Sequence, residues 1–240
     1  MSTERHLLPA RYITGWGKQT MGRPKYSDQE RDQILVTFIR AAREIIQDEG
    51  IEKLSIRKVA NITGLNSATM YLYFPNADAL TTMACMSYLE KYCRTLAADM
   101  PLMQSNRDAF VHSWEIFSQY AFVDPQVFRH LFYTEHSFSM EETIDTYYRL
   151  FPHQLDDISD MMVEMLHAGS IEERSMRVLT PLAEELGFSK ERTEMINELV
   201  VCYFRQLLEE RCLNTDSMVL SEQLTAKLMR VLRFLLDNPA

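Results

Sequence analysis

The groups best suited to do chemistry lie between Ser55 and Phe74, in "SIRKVANITGLNSATMYLYF", where hydroxyls and cations gather without a carboxylate. No Asp or Glu occurs between Glu52 and Asp78, whereas Lys53, Arg57 and Lys58 fall inside that window. Ser55, Ser67, Thr69, Tyr71 and Tyr73 supply O–H donors. Arg57 adds a planar fork of N–H groups that matches a phosphate or the O6/N7 edge of guanine. Donors of this kind without acids suit a polyanion. Other chemistry finds less support. There is no G-x-S-x-G, no H-E-x-x-H and no phosphate-loop spacing. Cys85, Cys93, Cys202 and Cys212 are 8, 109 and 10 positions apart, which fits neither a zinc pattern nor a dense disulfide framework. Neither a metal nor a cofactor is expected, and no compact polar cluster argues for an enzyme.

The elements that position these groups are helices. Seven glycines serve 240 residues, and none occurs between Gly64 and Gly169. Such a stretch, rich in Leu, Met, Ala, Glu and Arg, predicts an all-α chain with short turns. Capping boxes at Ser27–Glu30, Ser139–Glu142 and Ser170–Glu173 mark helix starts, as do Asp124-Pro125 and Thr180-Pro181. The first helix is predicted from Asp28 to Asp48, with Ile34, Leu35, Phe38, Ala41, Ala42, Ile45 and Ile46 on one stripe. A short helix follows from a Ser55 cap to Thr63, with Ile56, Val59, Ala60 and Ile62 apolar. Gly64 suits a left-handed turn, Asn66 caps a third helix that stops before Pro75, and Asn76 caps a fourth.

Two short helices around a Gly turn, braced by a longer one, describe a helix-turn-helix. On the third helix, at about 100° per residue, Met70 and Phe74 point inward, while Tyr71 and Tyr73 fall about 80° to either side. Their hydroxyls would then stand where phosphates flank a groove ~12 Å wide. Ala68, Thr69 and Leu72 form the outer crest, small or apolar groups suited to thymine methyls, and Ser67 lies at the helix N-terminus. A second reading makes both tyrosines rim residues of a small core and leaves Arg57 and Lys58 merely solvated.

The span Ile34–Ala84 resembles the DNA-binding domain of TetR-type transcriptional regulators. The matching features are a first helix ending before "EG", the "RKVA" of the second, "TGL", and the "MYLYF" that closes the third. The resemblance covers about a fifth of the chain. It implies that Ser55, Arg57, Ser67, Ala68, Thr69, Tyr71 and Tyr73 face DNA, and that a ligand cavity lies in the remainder. One departure stands out: the family's phosphate-contacting lysine at the start of the fourth helix is replaced here by Ala77.

Net charge is −9, but residues 1–27 carry five Lys/Arg and one acid. A basic arm at 1–27, a helix-turn-helix domain at 28–75 and an acidic helical domain at 76–240 are therefore expected. The arm's "GRPK" could enter a minor groove, remain a solvated tail, or fold Trp16 and Tyr12 against the body. The longest apolar run, Leu199–Phe204, has six residues, where a membrane span needs roughly 20. No secretory signal pattern is present, so the cytoplasm is the expected location and no membrane partner is expected.

Of the chain's 25 aromatic residues, 12 fall between Phe110 and Phe151. Part is ordinary core, since Phe110, Trp114 and Phe117 follow helical spacing. The surplus is expected to line an apolar pocket formed by Trp114, Phe117, Tyr120, Phe132, Tyr133, Phe138, Tyr147 and Tyr148, with Met162 and Met165 nearby. The last two helices, about Ser189–Cys212 and Ser217–Asp237, are apolar over much of their circumference. Leu199, Tyr203, Leu207, Leu228, Val231, Leu232 and Leu235 are expected at a two-fold four-helix interface, with full burial inside one chain the competing reading. The resulting expectation is a homodimeric regulator that binds a palindromic double-stranded operator as a repressor and is released by a small apolar or aromatic effector. The rival expectation is a helical interaction protein of the same fold that has weakened or lost DNA binding.

Overall fold

Caps and left-handed glycines, read in chain order, account for where the helices begin and end. The computed structural model describes residues 27–136, 138–152, 170–214 and 218–238, and among these it contains ten α-helices and no strand. They are α1 (Asp28–Glu49), α2 (Ile56–Thr63), α3 (Ser67–Met70), α4 (Ala77–Asp99), α5 (Asn106–Val123), α6 (Pro125–Tyr133), α7 (Met140–Leu150), α8 (Ile171–Glu185), α9 (Lys190–Leu213) and α10 (Met218–Asp237). Ser27 and Glu30 form a reciprocal capping box at α1. Ser55, Asn66, Asn76, Ser139, Ser170 and Ser189 each accept a first-turn N–H with their side chains. Gly64 ends α2 at φ 68°, a conformation that costs a side-chain-bearing residue about 1–2 kcal/mol.

Thr180-Pro181 does not start a helix. Pro181 lies inside α8, which begins instead at the Ser170 cap. A proline within a helix removes one backbone N–H, and neighbouring packing sustains the rest: Leu179, Leu182 and Ala183 are all buried around it.

The amino-terminal head is α1–α3. Phe38, Val59, Met70 and Phe74 are fully or almost fully buried, and the Phe38 and Phe74 rings meet edge to face at 6.4 Å. Ile34 and Leu65 close the sides of this small core. Ile62 departs from expectation, being half exposed at the end of α2.

The head is fastened to the body chiefly through α4, which packs along α1. A polar staple crosses the same junction. Tyr147 of α7 accepts a hydrogen bond from Arg43 of α1 at 2.7 Å and donates to Glu90 of α4 at 3.0 Å. Arg94 donates to the other oxygen of Glu90 at 2.9 Å. Buried charge of this kind persists only when so satisfied, because a lone buried carboxylate would cost several kcal/mol.

In the body, α5 is central, packed against α4, α8 and α10, while α9 lies against α6, α8 and α10. Edge-to-face and tilted aromatic contacts run through Tyr92, Trp114, Phe117, Phe128, Phe132 and Phe204, with centroids 5.1–6.3 Å apart. The thiols of Cys85 and Cys93 are buried and burial pushes both upward, Cys93 to about 12, so neither is poised as a nucleophile. Among the described residues, no helix is long and apolar enough to cross a membrane.

Candidate functional site

The acid-free window folds into one exposed face of the head. Ser55 caps α2 through its hydroxyl, and Arg57 follows at the second helical position, exposed. Past the Gly64 turn, Asn66 caps α3, whose first residues Ser67 and Ala68 are exposed and whose Thr69 is half-buried. Tyr71 and Leu72 are 56% and 59% exposed, high values for residues of their size and apolarity. Cation, hydroxyl and apolar crest are thus all presented to solvent by the head.

Tyr73 is a correction. It is 8% exposed and belongs to the head's core, so its ring is not presented on the surface as that of Tyr71 is. The cause is local geometry. The α-helix ends at Met70, and the chain tightens: Leu72 N–H donates to Thr69 and Tyr73 N–H donates to Met70, both to a carbonyl three residues back. With about three residues per turn, Tyr73 eclipses Met70 and follows it inward. The Phe74 N–H also turns back to Met70, and Pro75 prevents regular continuation.

Lys58 also sits differently. It is half-buried, and its ammonium pairs with Glu49 at the end of α1. An acid outside the window therefore neutralises one cation inside it. If this face binds DNA, Glu49→Gln frees Lys58 for phosphate, and affinity at low salt should rise ~2–5-fold, read by fluorescence anisotropy. An unchanged affinity would place Lys58 outside the contact surface. Ala77, where a lysine was expected by resemblance, opens α4 beneath the Asn76 cap.

The aromatic-rich body behaves less like a pocket than expected. An apolar cavity among the described residues measures about 30 Å³ and is lined by Tyr92, Ser113, Trp114, Phe117, Ile171, Arg174, Ser175 and Val178. That is room for one or two waters. Trp114 and Phe117 reach it as expected and Tyr92 joins them, but Tyr120, Phe132, Tyr133, Phe138, Tyr147 and Tyr148 are absent from its wall. Tyr120 bonds Thr95 at 2.7 Å, Phe132 packs on Phe117 and Phe128, Tyr133 lies under Arg205, and Phe138 stacks on His136. Tyr147 is occupied by the Arg43–Glu90 staple, and Tyr148 is buried beside it. Aromatic rings fill space best edge to face, so their surplus became core rather than cavity. Met162 and Met165 lie outside the described residues.

Sequence reasoning missed Arg174. Its guanidinium is buried at the cavity with the Phe132 ring 5.3 Å away, and burial lowers its pKa. Nothing in local spacing announced this, because Arg174 reads as one more charge in the "SIEER" start of a helix.

The expected interface residues divide into two sets. Leu207, Leu228 and Leu232 are buried within the chain and are corrected to its own core. Leu199 is 45% exposed, Tyr203, Val231 and Leu235 are half-buried, and Met195 and Phe234 join them with 48% and 64% exposure. Met195, Leu199 and Cys202 recur at helical spacing on α9, so an apolar stripe faces outward there.

A polar cluster at the head–body junction also escaped the sequence reading, which expected no metal site. Asp78 in the first turn of α4, His130 in the last turn of α6 and His136 just beyond it converge to within 4.8 Å. Burial pushes the His130 imidazole down to about 4, His136 adds to the effect and Asp78 opposes it. Positions 78 and 130 are too far apart in sequence for spacing to have paired them.

Residues 38–82 match the model of bacterial regulatory proteins of the tetR family. The head and the start of α4 are thus similar to tetR-family regulatory proteins. Two solved structures share the fold of this chain. One is RolR in complex with resorcinol, 14% identical, with a TM-score of 0.56 over 89% of this chain and 97% of that one. The other is FadR of Thermus thermophilus, a TetR family transcriptional repressor in complex with lauroyl-CoA, 15% identical, with a TM-score of 0.53 over 83% and 93%. No curated protein matches the sequence. The fold is all-α, with a helix-turn-helix head and a larger helical domain.

Proposed function

We propose that the chain is a homodimeric repressor that reads a pseudo-palindromic operator with α2 and α3 and is released by a small effector held in the helical body. The observation that carries this reading is the exposed face of Arg57, Ser67, Ala68, Tyr71 and Leu72, free of carboxylates and built on a braced helix-turn-helix. Ser67, Ala68 and Thr69 at the α3 N-terminus approach base edges and phosphates, Arg57 and Ser55 hold one phosphate strand, and Tyr71 the other. Tyr73 supports this face from within. Two heads on a two-fold axis enter successive major grooves about 34–36 Å apart.

The apolar stripe of Met195, Leu199 and Phe234 is the place for the partner subunit. Introducing charge there, as Leu199→Glu with Phe234→Glu, should raise the dimer dissociation constant about 30-fold or more, read by sedimentation equilibrium. An unaltered association state would move the two-fold axis elsewhere.

The effector belongs beside Trp114, Phe117 and Arg174, entering by enlarging a cavity that is small when empty. Binding there favours a body conformation whose heads are mis-spaced, so effector and operator oppose each other through one coupling free energy, typically about 1–3 kcal/mol. The known ligands of the two structural neighbours, resorcinol and lauroyl-CoA, support a small-molecule site in a body of this shape.

Selection of bound duplexes from a randomised pool tests the function. Enrichment of an inverted repeat supports it; recovery of no duplex above background contradicts it in favour of a helical interaction protein.

A further inference from the structure

The three groups at the head–body junction are arranged as ligands rather than as a chance surface cluster. His136 is the informative member. Its Nε2 lies 2.9 Å from the His130 carbonyl oxygen, and a carbonyl supplies no hydrogen, so Nε2 donates. The opposite nitrogen, Nδ1, lies 2.9 Å from Asp78 Oδ2. Two lone pairs at that distance repel unless a cation lies between them, and the cation is either a proton or a metal ion.

Holding one imidazole nitrogen as a donor to a backbone carbonyl is how proteins orient a metal-binding histidine and fix its tautomer. The third group has a matching arrangement. His130 Nε2 faces Asp78 Oδ1 at 3.7 Å and the Thr82 hydroxyl at 2.9 Å. Donors on a tetrahedral zinc ion at about 2.1 Å stand about 3.4 Å apart, which falls between the observed 2.9 and 3.7 Å pairs. Phe138 stacks on the His136 ring at 5.0 Å and holds its plane.

An entry path is present. His130 also lines a polar cleft of about 180 Å³ between the head and α6, together with Ile51, Glu52, Thr81, Gln126, Arg129 and Thr134. The Arg129 charge in that cleft faces Glu52 at 3.9 Å and Glu209 at 3.7 Å, which offsets its repulsion of an incoming dication.

We infer that Asp78, His130 and His136 form a regulatory site for a zinc-class divalent ion, which ties the start of α4 to the end of α6. Two imidazoles and one carboxylate favour a borderline transition ion over Mg²⁺, which prefers oxygen alone. Water from the cleft completes the coordination. Asp78 stands four residues past Phe74, which is fully buried in the head's core. A bound ion therefore fixes the angle at which the head leaves the body. The ion site is independent of the proposed function; only its consequence for operator binding rests on that reading.

The test is calorimetric titration of the full-length, chelator-stripped protein with ZnCl2 and with MgCl2. One zinc per chain is expected at micromolar affinity, with no heat from magnesium. Asp78→Asn and His136→Gln, both near-isosteric, should each weaken zinc at least ~10-fold, while His112→Gln leaves it unchanged. Zinc bound equally well by Asp78→Asn and His136→Gln, or no binding by the native chain up to about 100 µM zinc, overturns the site. A measurement on the native chain guards against misfolded variants: zinc should perturb the imidazole proton resonances of His130 and His136, and perturbation confined to other histidines overturns the site equally. Once the selected duplex is available, zinc should change its affinity at least ~5-fold in the native chain and leave that of His136→Gln unaltered. A zinc-loaded chain with unchanged duplex affinity overturns the regulatory role.

Discussion

Phe74→Ala is expected to remove about 3–5 kcal/mol of stability from the head and, with it, duplex binding. Phe74 is fully buried, meets Phe38 edge to face, and lies in the same core as Val59 and Met70. A head of three helices has few such contacts, so one lost ring leaves a cavity its neighbours cannot fill. Because α4 packs along α1 and carries much of the body's core, the loss should be uneven. Hydrogen exchange would show it: amides of α2 and α3 should exchange faster by orders of magnitude, while those of α5 and α9 keep their protection. Uniform loss of protection would mean that head and body unfold as one unit, and unchanged protection would mean that Phe74 does not anchor the head.

Arg57→Ala acts on the exposed surface of the same head. Arg57 is exposed at the second position of α2, so its removal should leave the melting temperature within error. Duplex affinity should fall about 10–100-fold, corresponding to about 1–3 kcal/mol for a charge-assisted contact. The salt dependence should soften as well, because one phosphate fewer is neutralised. Affinity equal to the native chain would make Arg57 a solvated surface residue and shift the interface toward α3 alone. Taken together, the two variants separate folding of the head from contact by the head.

What the residues announced in advance follows from the range over which each physical signal acts. Caps work within three residues, so Ser27, Ser55, Asn66 and Asn76 marked their helices correctly, and Gly64 marked its turn. The head's core was legible at similarly short range, since Phe38 lies on the apolar stripe of α1, Val59 on that of α2, and Met70 and Phe74 are four residues apart. Tyr73 was misplaced because a single tightened turn changes the angle per residue, and that tightening is decided by Pro75 and by packing rather than by periodicity. Pro181 misled in the opposite sense: a dipeptide that suits a helix start was overruled by buried neighbours along α8.

Contacts between distant segments were the least legible. Lys58 finds Glu49, Arg43 finds Tyr147, and Asp78 finds His130 and His136 only after the chain has folded. The aromatic surplus was real, but composition cannot distinguish rings that line a cavity from rings that fill one. Likewise the last two helices showed an apolar circumference, and only the coordinates separate buried Leu207, Leu228 and Leu232 from exposed Leu199 and Phe234.

The central claim is that the carboxylate-free face of α2 and α3 holds duplex DNA through phosphate contacts. Its most direct test is the affinity of the full chain for the selected duplex across a salt series from about 50 to 200 mM, where six or more neutralised phosphates would lower binding by about 10³-fold or more. A steep linear fall of log K with log salt, made shallower by Arg57→Ala, is the predicted result. A flat dependence, or one that Arg57→Ala leaves unaltered, would contradict the account.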